Sequence, residues 1–180
     1  MEQLNKAFDL AHRLHLGHYR KGNGVPYIKH VLDVCAFLAQ IGIPKDQYPN
    51  VWMATYLHDT IEDVKTTTPP LIEAAILAAT NNEVLNIVKE LTFYPEKQTK
   101  EEYINSIPSK SIWAILIKLA DRYCNVKDFA ESGDKKYALI YYKKFTPLYP
   151  CLDLIADQFC CLVADKIERK YDELVNSLNR

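Results

Sequence analysis

The sequence predicts one all-α domain, and three observations carry that prediction. Apolar residues recur at helical spacing in most windows, strand signals are nearly absent, and no internal repeat, low-complexity segment or interdomain linker divides the 180 residues. Leu4, Ala7, Phe8, Leu10, Ala11 and Leu14 mark a first helix ending near Gly17, and Lys21 to Pro26 is a turn-rich loop. A second helix is expected from about Tyr27 to Ile41, stopped by Gly42 and Pro44, and a third from about Tyr48 to Asp59 or slightly beyond. Thr66 to Pro70 reads as a connection with Thr68 as N-cap and Pro69 in the first helical turn. Helices follow at Leu71–Ala79 and Glu83–Leu91, then an exposed charged loop from Phe93 to Lys100. Ser109 to about Val126 is a long apolar helix with one polar stripe, and Asp134 to Phe145 is a Tyr-rich helix. A last amphipathic helix is expected over Cys151–Leu178. Its stripe of Leu152, Ile155, Phe159, Leu162, Val163 and Ile167 suits core packing or a dimer contact, so the oligomeric state stays open.

Hydrophobic residues make up 48% of the chain and charged residues 25%, which describes a soluble globular domain with a substantial core. A formal net charge of -1 gives no reason to expect nucleic acid or an anionic membrane as partner. No apolar run approaches the roughly 20 residues that span a bilayer, and Met1 to Leu10 lacks the pattern of a signal peptide. The Cys residues at 35, 124, 151, 160 and 161 contain no C-x-x-C spacing, so neither a disulfide framework nor a zinc finger is indicated and a cytoplasmic setting is expected. Cys35, Cys160 and Cys161 lie in apolar contexts and are expected to be buried.

Three stretches carry chemistry. In His58-Asp59-Thr60-Ile61-Glu62-Asp63, helical spacing brings Glu62 toward the face of His58, and Asp63 toward that of Asp59. Three carboxylates and an imidazole there repel one another unless a divalent cation sits among them; alone, the string is also compatible with a solvated helix end. Lys118, Asp121, Arg122 and Asn125 form one polar stripe on an otherwise apolar helix, facing either solvent or an internal cleft. Arg20 and Lys21 follow a helix and offer a planar fork and a compact charge to an anion, and His30 opens the next helix. His12, His15 and His18 recur every three residues and read as a partly exposed helix face. Taken together, His30, His58, Asp59 and Asp121 supply two imidazoles and two carboxylates, a mixed set that suits one Mn²⁺, Fe²⁺ or Zn²⁺ with positions left open for water and substrate.

The combination of Arg20-Lys21, Pro26-Tyr27-Ile28-x-His30, His58-Asp59-x-x-Glu62-Asp63 and Lys118-Leu119-Ala120-Asp121-Arg122-x-x-Asn125 resembles the HD superfamily of metal-dependent phosphohydrolases. Within it, the pattern looks most like the hydrolase domain of RelA/SpoT-type alarmone enzymes, especially the stand-alone small alarmone hydrolases, from about residue 5 to 130. That resemblance implies an HD-domain helical bundle over residues 1–180, and removal of pyrophosphate from the 3′ position of (p)ppGpp, the stringent-response alarmone, to give GDP or GTP. By position it implies Mn²⁺ on His30, His58, Asp59 and Asp121, with Glu62 and Asp63 as the catalytic carboxylates handling water and leaving group. Arg20, Lys21, Lys118, Arg122 and Asn125 fall to substrate binding. With no synthetase or regulatory segment expected after Arg180, the activity would be constitutive. Cys124 departs from the pattern, standing where many members have His. Two other readings stay open from sequence. One is an HD phosphohydrolase acting on an adenosine alarmone, the 2′-phosphate of NADPH or a nucleoside monophosphate. The other is a nucleotide-binding module without turnover.

Overall fold

The structure is a computed structural model that describes residues 2–20, 24–144 and 146–180. Its chain divides into two compact units, Met1–Gln98 and Thr99–Arg180, both built of helices. Among the described residues the only extended pairing is an isolated antiparallel bridge between Tyr19 and Pro26. No helix there is long and apolar enough to cross a membrane.

The first unit contains α1 (Glu2–Leu14), α2 (Ile28–Ile41), α3 (Pro49–Leu57), α4 (Thr60–Asp63), α5 (Pro69–Ala79) and α6 (Asn82–Leu91). α3 is its axis. Val51, Met53, Ala54, Thr55, Tyr56 and Leu57 are all buried, so α3 beyond Trp52 is enclosed, and the helix packs against α1, α2 and α6. The helix therefore delivers whatever follows Leu57 into the interior of the unit. α2 ends where expected, because Gly42 takes φ 101° and its N–H returns to the carbonyls of Leu38 and Ala39. Asn81 caps α6, accepting the Val84 N–H at 3.1 Å. Thr68 precedes α5 as expected, but its side chain makes no capping bond.

The second unit contains α7 (Lys100–Ser106), α8 (Ile112–Glu131), α9 (Lys135–Lys143), α10 (Pro150–Ile155) and α11 (Cys161–Leu178), with 3₁₀ turns at Ile107–Ser109 and Thr146–Leu148. α7 lies just past the expected loop, which covers residues 93–99. Its start is fixed by a capping box in which Thr99 and Glu102 satisfy each other's backbone N–H groups. α8 begins at Ser111, whose hydroxyl accepts the Ala114 N–H, and runs past Val126 to Glu131. Tyr171 on α11 donates from its hydroxyl to the Leu119 carbonyl at 2.7 Å, bonding the last helix to the middle of α8.

The single final helix expected from Cys151 is interrupted. A π-helical turn, Ala156–Cys160, separates α10 from α11 and shifts the register of the apolar stripe. Ile155, Val163 and Ile167 stay buried, whereas Leu162 is 65% exposed. The same shift corrects the cysteines: Cys161 is exposed and Cys160 only half-buried. Cys35 is buried as expected, and burial pushes its thiol up to about 12.

Candidate metal centre

α3 does not continue through the His-Asp pair. It ends at Leu57, and residues 58 and 59 form a turn before α4. Asp59 sits at φ -101° and ψ -1°. On a continuous helix these neighbours would diverge by about 100°. At the break they converge: Asp59 Oδ2 lies 3.0 Å from His58 Nε2 and 3.6 Å from His30 Nε2. His30 reaches this point from the first turn of α2, and its ring centroid is 5.5 Å from that of His58. Both imidazoles are essentially buried, at 1% and 2% exposure.

The donors fit a divalent ion. His58 Nδ1 is 2.8 Å from the Thr55 carbonyl, which only accepts, so the ring proton sits on Nδ1. With Nε2 unprotonated, as a metal ligand requires, its lone pair faces a carboxylate oxygen, an arrangement that a cation between them converts from repulsion to attraction. A ligand imidazole oriented by a backbone carbonyl on its other nitrogen is the usual outer-shell pattern of metal sites. The ligand atoms offered by His30, His58 and Asp59 all lie within 4.8 Å of one another.

The two remaining carboxylates of the acidic string lie on α4 and point to different partners. Glu62 Oε2 accepts the Phe93 N–H at 3.0 Å, while Asp63 Oδ2 accepts the Tyr27 hydroxyl. Tyr27 also reaches Asp59 Oδ2, at 2.7 Å. Sequence reasoning assigned Tyr27 no role. The signal was its position one helical turn before His30, where a hydroxyl-bearing ring lies beside a ligand.

His15 is a second correction. α1 ends at Leu14, so the three histidines do not share a helix face, and His15 is 3% exposed. Its ring stacks on Tyr27 with centroids 4.6 Å apart and planes 16° apart. Neither ring nitrogen has a hydrogen-bond partner among the described protein atoms. Burial is the main reason its pKa falls to about 4, opposed by the nearby Asp59 charge. Arg20 lies with its guanidinium 5.5 Å from the Tyr27 ring centre, and its backbone N–H donates to the Val25 carbonyl at 2.8 Å. Lys21 lies outside the described residues.

In the second unit, the polar stripe of α8 is interior. Lys118, Asp121 and Arg122 are 3%, 2% and 7% exposed, and Asn125 is half-buried. Asp121 Oδ2 faces Lys118 Nζ at 3.3 Å and Arg122 Nε at 3.5 Å, and Asp121 Oδ1 accepts from Asn125 Nδ2. Two cations and an amide thus surround one buried carboxylate. Arg122 also donates to the Tyr141 hydroxyl, which gives that residue a structural partner. Lys97 in the 93–99 loop lies 4.1 Å from the Tyr94 ring centre.

The model of the HD domain family matches residues 7–148. Over 127 residues the chain is 34% identical to the human protein named guanosine-3′,5′-bis(diphosphate) 3′-pyrophosphohydrolase MESH1, a match covering 70% of this chain and 69% of that protein. A protein of the same enzyme name from Aquifex aeolicus is 31% identical over 157 residues, 82% of this chain but 21% of its own length. The zebrafish MESH1 match covers 59% of that protein, so the chain spans only part of several relatives. Among solved structures, one described as a metazoan orthologue of SpoT that hydrolyzes ppGpp superposes with a TM-score of 0.73 at 21% identity, covering 98% of this chain and 96% of the other. The extent of the family match and the identity to these relatives establish that the chain belongs to the HD domain family.

Proposed function

We propose that this protein is a metal-dependent guanosine 3′,5′-bis(diphosphate) 3′-pyrophosphohydrolase, with His30, His58, Asp59 and Asp121 holding one divalent ion, Mn²⁺ in the first instance. The observation that carries the metal is the convergence of two buried imidazoles on one Asp59 oxygen, with His58 oriented by Thr55. The names of the human and Aquifex relatives support the substrate.

When bound, the ion supplies Lewis-acid polarisation of a phosphoryl oxygen and a lowered pKa for water. The chain's own residues do the rest. A water oxygen attacks the phosphorus attached to the 3′ oxygen, the bond from that oxygen to phosphorus breaks, and pyrophosphate leaves. Asp63 and Glu62 are the carboxylates not needed as ligands; they orient the water and accept its proton, and they return a proton to the 3′ oxygen. General acid–base help of this kind is worth roughly 10²–10⁴-fold. Arg20 offers a flat cation to the guanine face, Lys21 a charge to base or phosphate, and Asn125 an amide to the nucleoside. Lys118 and Arg122 lie beside Asp121, where their charge balances that carboxylate and favours phosphate nearby.

The test is hydrolysis of guanosine tetraphosphate by the purified protein with Mn²⁺, resolving GDP and pyrophosphate by anion exchange. Conversion is expected, and Asp121→Ala is expected to lose more than the roughly 10–100-fold typical of outer-shell changes. No pyrophosphate from a metal-loaded wild-type protein refutes the alarmone assignment. An adenosine alarmone, NADPH and nucleoside monophosphates in the same panel then show whether another nucleotide is the substrate.

A further inference from the structure

We propose that Tyr27 is a positioning residue that ties the metal-ligand carboxylate of Asp59 to the proton-handling carboxylate of Asp63. The inference rests on the assignment of those two roles above. Its observation is one phenol oxygen in contact with both carboxylates, 2.7 Å from Asp59 Oδ2 and hydrogen-bonded to Asp63 Oδ2. A phenol has one proton to give, so it donates to one carboxylate at a time, and an ion that engages Asp59 leaves that proton to Asp63. The Asp59 oxygen it touches is the one facing His58 and His30.

The ring that carries this hydroxyl is unusually well fixed. Its backbone N–H donates to the His18 carbonyl at 2.9 Å, beside the Tyr19–Pro26 bridge. Its own carbonyl accepts the His30 N–H at 2.9 Å, so the residue that ties the carboxylates also starts the helical turn bearing a ligand. The buried His15 ring stacks on it and the His30 ring meets it edge-on at 5.7 Å. Such packing leaves the hydroxyl little freedom to leave the carboxylate pair. No part of Tyr27 is required to touch the nucleotide, which separates this role from that of Arg20.

The experiment compares Tyr27→Phe and Tyr27→Ala with wild-type full-length protein by Mn²⁺ titration calorimetry and steady-state hydrolysis. Tyr27→Phe keeps the ring and its stack. It is expected to lose about 10–100-fold in Mn²⁺ affinity or in kcat, as outer-shell partners do, with KM for the nucleotide changed less than about threefold. A packing role predicts instead that Phe restores what Ala loses, so wild-type affinity and kcat in Tyr27→Phe overturn the proposal, as does a change confined to KM. Asp63→Asn supplies an arm that does not depend on Tyr27 variants folding: its Mn²⁺ affinity is expected to move by about threefold or more although Asp63 is not a ligand, and unchanged affinity overturns the tie. The titrations need no nucleotide. If wild-type protein hydrolyses no alarmone, the functional reading fails on that assay and Mn²⁺ affinity alone decides the role of Tyr27.

Discussion

His15 makes stability depend on pH in a window that can be stated in advance. The side chain is 3% exposed, its ring nitrogens lack hydrogen-bond partners among the described protein atoms, and burial lowers its pKa from 6.5 to about 4. Its folded-state pKa lies below the unfolded value, so below pH 6.5 the unfolded chain binds a proton that the folded protein refuses. The stability it permits is therefore complete above about pH 6.5, falls as pH drops, and levels off below about pH 4. At about 1.4 kcal/mol per pH unit, the gap between 6.5 and about 4 amounts to roughly 3 kcal/mol, a large share of a typical domain's 5–15 kcal/mol. The assay is urea unfolding from pH 7 to 4 with chelator present, comparing wild type with His15→Phe. Phe keeps an aromatic ring against Tyr27 and cannot protonate. Subtracting the two profiles removes the contributions of groups that do not interact with His15, while His18, His30, His58 and Asp59, which act on it electrostatically, stay in the difference as coupling. The variant is expected to gain about 3 kcal/mol on wild type between pH 6.5 and 4. A difference that stays flat within about 1 kcal/mol would show that His15 is not held neutral and that burial does not govern it.

Two other perturbations probe the carboxylates and their cations. Glu62→Gln keeps an amide oxygen able to accept the Phe93 N–H, so its thermal melting is expected to match wild type while kcat falls by about 10²-fold or more; wild-type turnover would remove Glu62 from the chemistry. Lys118→Met removes a buried partner of Asp121 and is expected to cost about 3 kcal/mol in urea unfolding, at the lower end for a broken buried pair because Arg122 and Asn125 remain. A loss under about 1 kcal/mol would mean that Arg122 alone balances the charge.

Much of the candidate centre was legible because its residues are contiguous or sit at helical spacing on strongly apolar helices. In the first unit, His30 and the His58-Asp59 pair could be picked out from the positions of two helices, although the break that turns Asp59 back toward His58 could not; in the second unit, the Lys118–Asn125 stripe needed only the position of α8. What stayed hidden was decided by side chains meeting backbone or rings far along the chain. Tyr27 reads as one more aromatic until its hydroxyl is seen between two carboxylates 32 and 36 residues away. His15 looked like part of an exposed series because its neighbours at 12 and 18 share its spacing, yet α1 stops before it. The π-helical turn left no mark, since the apolar pattern from Leu152 to Ile167 is continuous in sequence while the backbone gains an extra residue within it. α7 was lost to the charge of its first turn, although the Thr99–Glu102 pair is a capping-box signature.

The break between α3 and α4 has a local cause that involves no glycine or proline. Past the end of a helix, successive carbonyls await the N–H groups of a further turn. Here two side chains compete for them: His58 Nδ1 takes the Thr55 carbonyl at 2.8 Å, and Thr60 Oγ1 takes the Leu57 carbonyl at 2.7 Å. Side-chain donors of this kind offer the backbone an alternative to helix continuation. New helical bonding begins only with Asp63 N–H to the Asp59 carbonyl at 2.8 Å. The His58 bond has a double consequence. It diverts the backbone so that the adjacent Asp59 can turn back toward the imidazole, and it fixes the tautomer that presents Nε2 as a donor to a cation. Because Met53 to His58 are all buried, the break occurs in the interior, where water competes least for those carbonyls and where an ion's field is least screened. The hydrogen bond that ends the helix is therefore also the one that prepares the ligand, which is why His and Asp can be adjacent in sequence and still face the same point.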